Sequence, residues 1–118
     1  MNKLTSTLLT TFVLSTTSIG GAPMTRFLQR PEGRIAWSLH GDHGPLVIAM
    51  PGMGDVRENM EGFADTLASR GYRVATMDLR GHGESDTGFV DVSAKAIAED
   101  ALALAQSIDT APAVFLGN

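Results

Sequence analysis

The chain has 118 residues, enough for one domain with a core of its own. Hydrophobic residues make up 43% and charged residues 19%, a globular rather than a disordered composition. A net charge of −4, with Lys and Arg scattered, argues against a nucleic-acid binder, and zero cysteines exclude disulfides, thiolate metal sites and a cysteine nucleophile.

Residues 1–23 differ in composition from the rest. They are rich in Thr and Ser, carry one charge (Lys3), and group Leu8, Leu9, Phe12, Val13 and Leu14, with Gly20 and Ala22 ahead of Pro23. Two readings stand: a signal-like segment cut near Ala22, or an upstream extension with Met24 as the true start. The first implies export and the second a cytoplasmic protein. The apolar run is too short for a stable membrane span, which needs about 20 apolar residues. Neither reading adds to the fold, which is expected within residues 24–118.

From Gly33 the pattern sharpens. Arg34 to His40 alternates through Ile35, Trp37 and Leu39, as a strand with one buried face does. Gly41-Asp42-His43-Gly44 is turn chemistry, and Leu46 to Met50 is a continuous apolar run that suits a strand covered on both faces. After Pro51-Gly52-Met53-Gly54, a helix is predicted from Met60, Phe63, Ala64, Leu67 and Ala68 on one face, capped by Gly71. Arg73 to Met77 is a further strand and Asp78 to Asp86 a glycine-rich loop. Ser93 can cap a second helix whose stripe is Ile97, Ala98, Ala101, Leu102, Ala105 and Ile108. Ala113 to Leu116 begins another buried strand. The order predicts an α/β fold: an N-terminal hairpin followed by a parallel βαβαβ sheet.

In such sheets ligands bind beyond the carboxyl ends of the strands. Gly52, Met53 and Gly54 lie at one of these ends, and their backbone N–H groups could hold a developing oxyanion or simply form a strand-to-helix turn. A rival reading is a dinucleotide fingerprint, with Gly52-x-Gly54 after a strand and acidic Asp78 after the next. It is incomplete, because Arg57 stands where a third Gly or Ala is wanted.

Asp78-Leu79-Arg80-Gly81-His82-Gly83-Glu84-Ser85-Asp86 closely resembles the loop after the fourth strand of the α/β-hydrolase superfamily, where Asp-x-Arg-Gly-x-Gly-x-Ser recurs. The resemblance covers about Gly33 to Asn118. It implies that Pro51-Gly52-Met53-Gly54 is the oxyanion-hole loop, with Pro51-Gly52 in place of the usual His-Gly. It also implies that Val114-Phe115-Leu116-Gly117-Asn118 leads into the nucleophile elbow, Gly-x-Ser-x-Gly. Gly117 and Asn118 would be its first two positions, with the nucleophile expected immediately after Asn118 and the acid and His further on.

Other polar residues have plainer readings. The resemblance does not make His82 a triad member, and Arg80 and Asp86 are expected to bind backbone or each other to hold the loop. His40, Asp42 and His43 read as solvated turn residues rather than a metal site, Ser85 as a loop residue, and Trp37 as core.

The expectation is thus the N-terminal portion of a serine hydrolase acting on an ester or related acyl bond, with a small-molecule substrate, no cofactor, no metal and no nucleic acid. The chain as written would lack the nucleophile, acid and His, and so be inactive alone. A naturally truncated, non-catalytic fragment or subunit is the alternative, and a dinucleotide-binding module a lesser one.

Overall fold

The computed structural model describes residues 23–117. Both readings of the N-terminal segment concern residues outside this range, apart from Pro23, as does Asn118. Five strands form one sheet: β1 (Arg26–Arg30), β2 (Gly33–His40), β3 (Leu46–Met50), β4 (Arg73–Met77) and β5 (Val114–Gly117). Two helices, α1 (Glu61–Ala68) and α2 (Ala94–Ile108), complete it, with a 3-10 turn at Arg57–Met60 leading into α1. Among the described residues no helix is long and apolar enough to cross a membrane.

The sheet order is β1-β2-β4-β3-β5, with β1/β2 and β2/β4 antiparallel and β3/β4 and β3/β5 parallel. The chain crosses from β3 to β4 in one direction, then from β4 past β3 to β5 in the other. Since crossovers share one hand, the two connecting helices must lie on opposite faces. They do. Val47, Ala49 and Val74 pack with Ala64 of α1, while Ile35, Ile48, Ala75 and Met77 pack with Ala101, Leu104 and Ala105 of α2.

The α/β architecture is the expected one, and three local expectations need correction. The hairpin lies one strand earlier than the Gly41–Gly44 turn implied. It joins β1 to β2 in the register Arg30↔Gly33, and β4 separates β2 from β3. The second correction concerns β2, which is covered on both faces, so that Ala36, Ser38 and His40 are buried as well as Ile35 and Trp37. Thirdly, the helix stripes are turned slightly. Phe63 of α1 and Leu102 of α2 are exposed, whereas Ala96, Asp100 and Leu104 are buried. Ser93 caps α2 as expected, its hydroxyl accepting from the Ala96 N–H at 3.2 Å.

Candidate functional site

Connections leave β3 and β4 toward opposite faces, which opens a crevice above the carboxyl ends of the strands. A cleft of about 300 Å³ occupies that place, with Gly52 and Met53 after β3, Leu79 after β4, Ile97 and Ala98 from α2, and Gly117 ending β5. Two of the three predicted site residues, Gly52 and Met53, line it.

The turn that bears them is well defined. The Asp55 N–H donates to the Gly52 carbonyl at 3.0 Å, Gly54 has φ +88°, and Met53 has negative φ. These are the marks of a type II turn with Met53 and Gly54 at its centre, and the positive φ is what glycine supplies. In a trans peptide the C=O and N–H point in opposite directions. Holding the Gly52 carbonyl inside the turn therefore turns the Met53 N–H outward. Among the described residues no acceptor takes that N–H. The Gly54 N–H, in contrast, donates to Nε2 of His82 at 3.0 Å.

The loop after β4 is a bonded structure throughout. Asp78 is fully buried and accepts from the Arg57 backbone N–H at 2.8 Å, from the Arg57 guanidinium, and from the Glu84 N–H at 3.1 Å. Arg57, buried as well, also donates to Glu84 and to Thr25, each at 2.7 Å. Burial works against its charge, but the hydrogen bonds to Glu84 and Asp78 outweigh that and raise its pKa above the usual guanidinium value. The Arg57 hydrogen bond, then that from Thr25, holds the Glu84 carboxyl below its usual range.

Ser85 donates to the Asp78 carbonyl and accepts from the Ala36 N–H, both at 2.9 Å, and so stitches the loop to β2. It is a loop residue, as expected. Gly83 sits against the Asp78 carboxylate, with which a Cβ would collide.

Arg80 and Asp86 do hold the loop, but not each other. Arg80 makes two 2.8 Å bonds to the fully buried Asp100 of α2, which also accepts from Arg30 of β1 at 2.9 Å. Its Nη1 donates to the Asp91 carbonyl at 2.7 Å, and the guanidinium lies over the Phe89 ring. Asp86 instead grips Arg34, accepting from its backbone N–H at 2.8 Å and from its guanidinium. His40 is likewise drawn away from Asp42 and His43, since its Nδ1 pairs with Asp65 of α1 at 2.7 Å, while His43 pairs with Asp42.

Two residues carry the site without having been picked out beforehand. Arg57 stood out only as an obstacle to a dinucleotide, although Asp78, a carboxylate closing a buried strand, calls for a nearby cation. Asp100 falls between Ala96 and Leu104 on the buried side of α2, and a charge on an apolar stripe is a signal for a buried partner. These bonds also tell against the dinucleotide reading. Asp78, the residue that would reach a ribose, is sealed onto Arg57.

Residues 41–117 match the family model described as serine aminopeptidase, S33. No curated protein matches the chain in sequence. Among solved structures, a thioesterase domain from the curacin biosynthetic pathway aligns at TM-score 0.73 and 25% identity, over 83% of this chain and 37% of that one. A hydrolase from Pseudomonas aeruginosa aligns at TM-score 0.72 and 27% identity, over 82% of this chain and 37% of that one. An epoxide hydrolase from Vigna radiata shares the fold, at TM-score 0.74 and 21% identity, over 83% and 33%. The chain spans about a third of the length of these structures.

Proposed function

The chain belongs to the serine aminopeptidase S33 family of α/β-hydrolases, and on that premise we propose that it supplies the oxyanion-hole loop of a hydrolase acting on an ester or related acyl bond. One observation carries this reading: the Met53 N–H, turned outward beside the apolar cleft with no acceptor among the described residues. An N–H fixed in that way needs no reorganisation when negative charge develops on an acyl oxygen. Gly52 and Gly54 shape the turn around that donor.

The family model is described as a serine aminopeptidase and one similar structure is a thioesterase domain, and both names are of enzymes that cleave acyl bonds, which supports an acyl bond over an epoxide. The apolar cleft suits an uncharged group next to the reacting carbonyl. Neither Ser85, bound to backbone on both sides, nor His82, which takes the Gly54 N–H, serves as nucleophile or base in this reading. In a protein that continues past Asn118, the nucleophile stands at the next position, with its acid and His beyond it.

Met53→Pro tests the proposal. Proline fits the first central position of a type II turn and removes the N–H, and Met53→Ala is the control for the side chain lost with it. In the full-length protein, hydrolysis of p-nitrophenyl acyl esters should lose roughly 10²- to 10³-fold in kcat with KM little changed. Full activity in this variant, or no ester, thioester or amide turnover by the unsubstituted protein, would overturn the reading.

A further inference from the structure

We propose that His82 is a positioning residue for the oxyanion loop, tethering the Gly52–Asp55 turn to the loop after β4 so that the Met53 N–H keeps its place beside the cleft. The inference rests on the reading of Met53 as the oxyanion donor. Type I and type II turns share their closing hydrogen bond and differ by a flip of the central peptide, here the one between Met53 and Gly54. The Asp55 N–H to Gly52 carbonyl bond fixes the first peptide, which bears the Met53 N–H, within the turn, but it fixes neither the second peptide nor the turn against its neighbours. What fixes both is the Gly54 N–H donating to His82 Nε2 at 3.0 Å, across 28 residues of sequence.

The ring is set for that task. His82 Nδ1 lies 3.0 Å from the Arg80 carbonyl, which can only accept, so Nδ1 carries the hydrogen and Nε2 is left as an acceptor. Both bonds require the same neutral tautomer. Arg80 is in turn anchored by its two bonds to Asp100, and the His82 backbone is held by its N–H to the Leu79 carbonyl and by the Ser85 N–H to its own carbonyl, each at 3.0 Å. A continuous path of bonds thus runs from α2 through Arg80 and His82 to the turn after β3.

Loss of the acceptor unties the Gly52–Asp55 turn from the loop after β4, so that the turn shifts as a unit and the Met53 N–H is misplaced at the moment charge develops. A displacement of that kind costs turnover more than binding.

The test compares His82→Phe, which keeps a ring and removes the acceptor, with His82→Gln, whose Oε1 can reach the Nε2 position. In the full-length protein, His82→Phe should lower kcat on acyl esters roughly 10- to 100-fold with KM nearly unchanged, and His82→Gln should restore most of it. Nitrogen NMR of the unsubstituted protein should show a coupling across the hydrogen bond between the Gly54 amide nitrogen and His82 Nε2. In His82→Phe the Gly54 and Met53 amides should broaden through exchange. Absence of the coupling overturns the proposal. So does unchanged kcat in the Phe variant, or a Phe variant whose lost activity is explained by unfolding and is not recovered by Gln. Should the unsubstituted protein hydrolyse no acyl substrate, the hydrolase reading fails, and the amide signals still decide whether His82 locks the turn.

Discussion

In the loop from Asp78 to Asp86 every charged side chain meets an opposite charge, and those bonds tie the loop to three elements: the 3-10 turn, β2 and α2. On the flank where α2 meets β5 the terms are reversed. Leu102, Val114 and Phe115 are 49, 56 and 39% exposed, and an apolar hollow of about 210 Å³ is lined by Leu102, Phe115 and Met50. The first region is held by directional partners that tolerate no vacancy. The second contributes surface area, where a side chain can change without leaving an unmatched group behind. A polar network fixes geometry in a way that an apolar face does not, and it is the network that bonds to the Gly52–Asp55 turn.

The largest effect expected is from Arg57→Met. It leaves the Asp78 carboxylate buried without its cation and should cost about 3–5 kcal/mol in urea or thermal unfolding. Adding Asp78→Asn should recover part of that loss, and a single variant within 1 kcal/mol of the parent would break the contrast between the two regions. Gly83→Ala comes next. Its methyl group must displace the same carboxylate, for a cost of about 1–3 kcal/mol by the same measurement.

A smaller effect follows from pH. The carboxyls of Glu84 and Asp86 are held below their usual values by hydrogen bonds from Arg57 and Arg34 respectively. A depressed folded-state pKa contributes stability that is full above the unfolded value, about 4, and is lost as pH falls through the folded value. Unfolding midpoints should therefore decline below about pH 4, and the decline should be shallower in Arg34→Gln, which lacks the Asp86 partner. The smallest effect is expected on the other flank. Leu102→Ser should change stability by no more than about 0.5 kcal/mol while reducing binding of a hydrophobic dye.

The sequence patterns reached some of these features and not others, for identifiable reasons. β3 and β4 are short runs of apolar residues, and α2 has an amphipathic period with a serine cap, so local rules suffice for them. β1 was not predicted. Its residues, Arg-Phe-Leu-Gln-Arg, bury little, and it is a strand because β2 offers it a ladder. Pairing of β2 with β4 rather than β3 is set by crossover geometry, which no local pattern records. The Asp78 to Asp86 motif was visible as a motif, yet the partners of its charges lie 20 to 52 residues away at Arg34, Arg57 and Asp100. The bond from Gly54 to His82 joins two loops that become neighbours only in the closed sheet.

The place of β4 in the sheet bears on how the molecule is made. β2 and β3 are joined by five residues, 41–45, yet they stand two strand spacings apart, about 10 Å, with β4 between them. During synthesis the hairpin and β3 emerge with facing edges that cannot be satisfied until residues 73–77 leave the ribosome and slot into the gap. The central strand of the sheet is thus a latecomer among the first four. The interval before it arrives is when the nascent chain depends most on protection from aggregation.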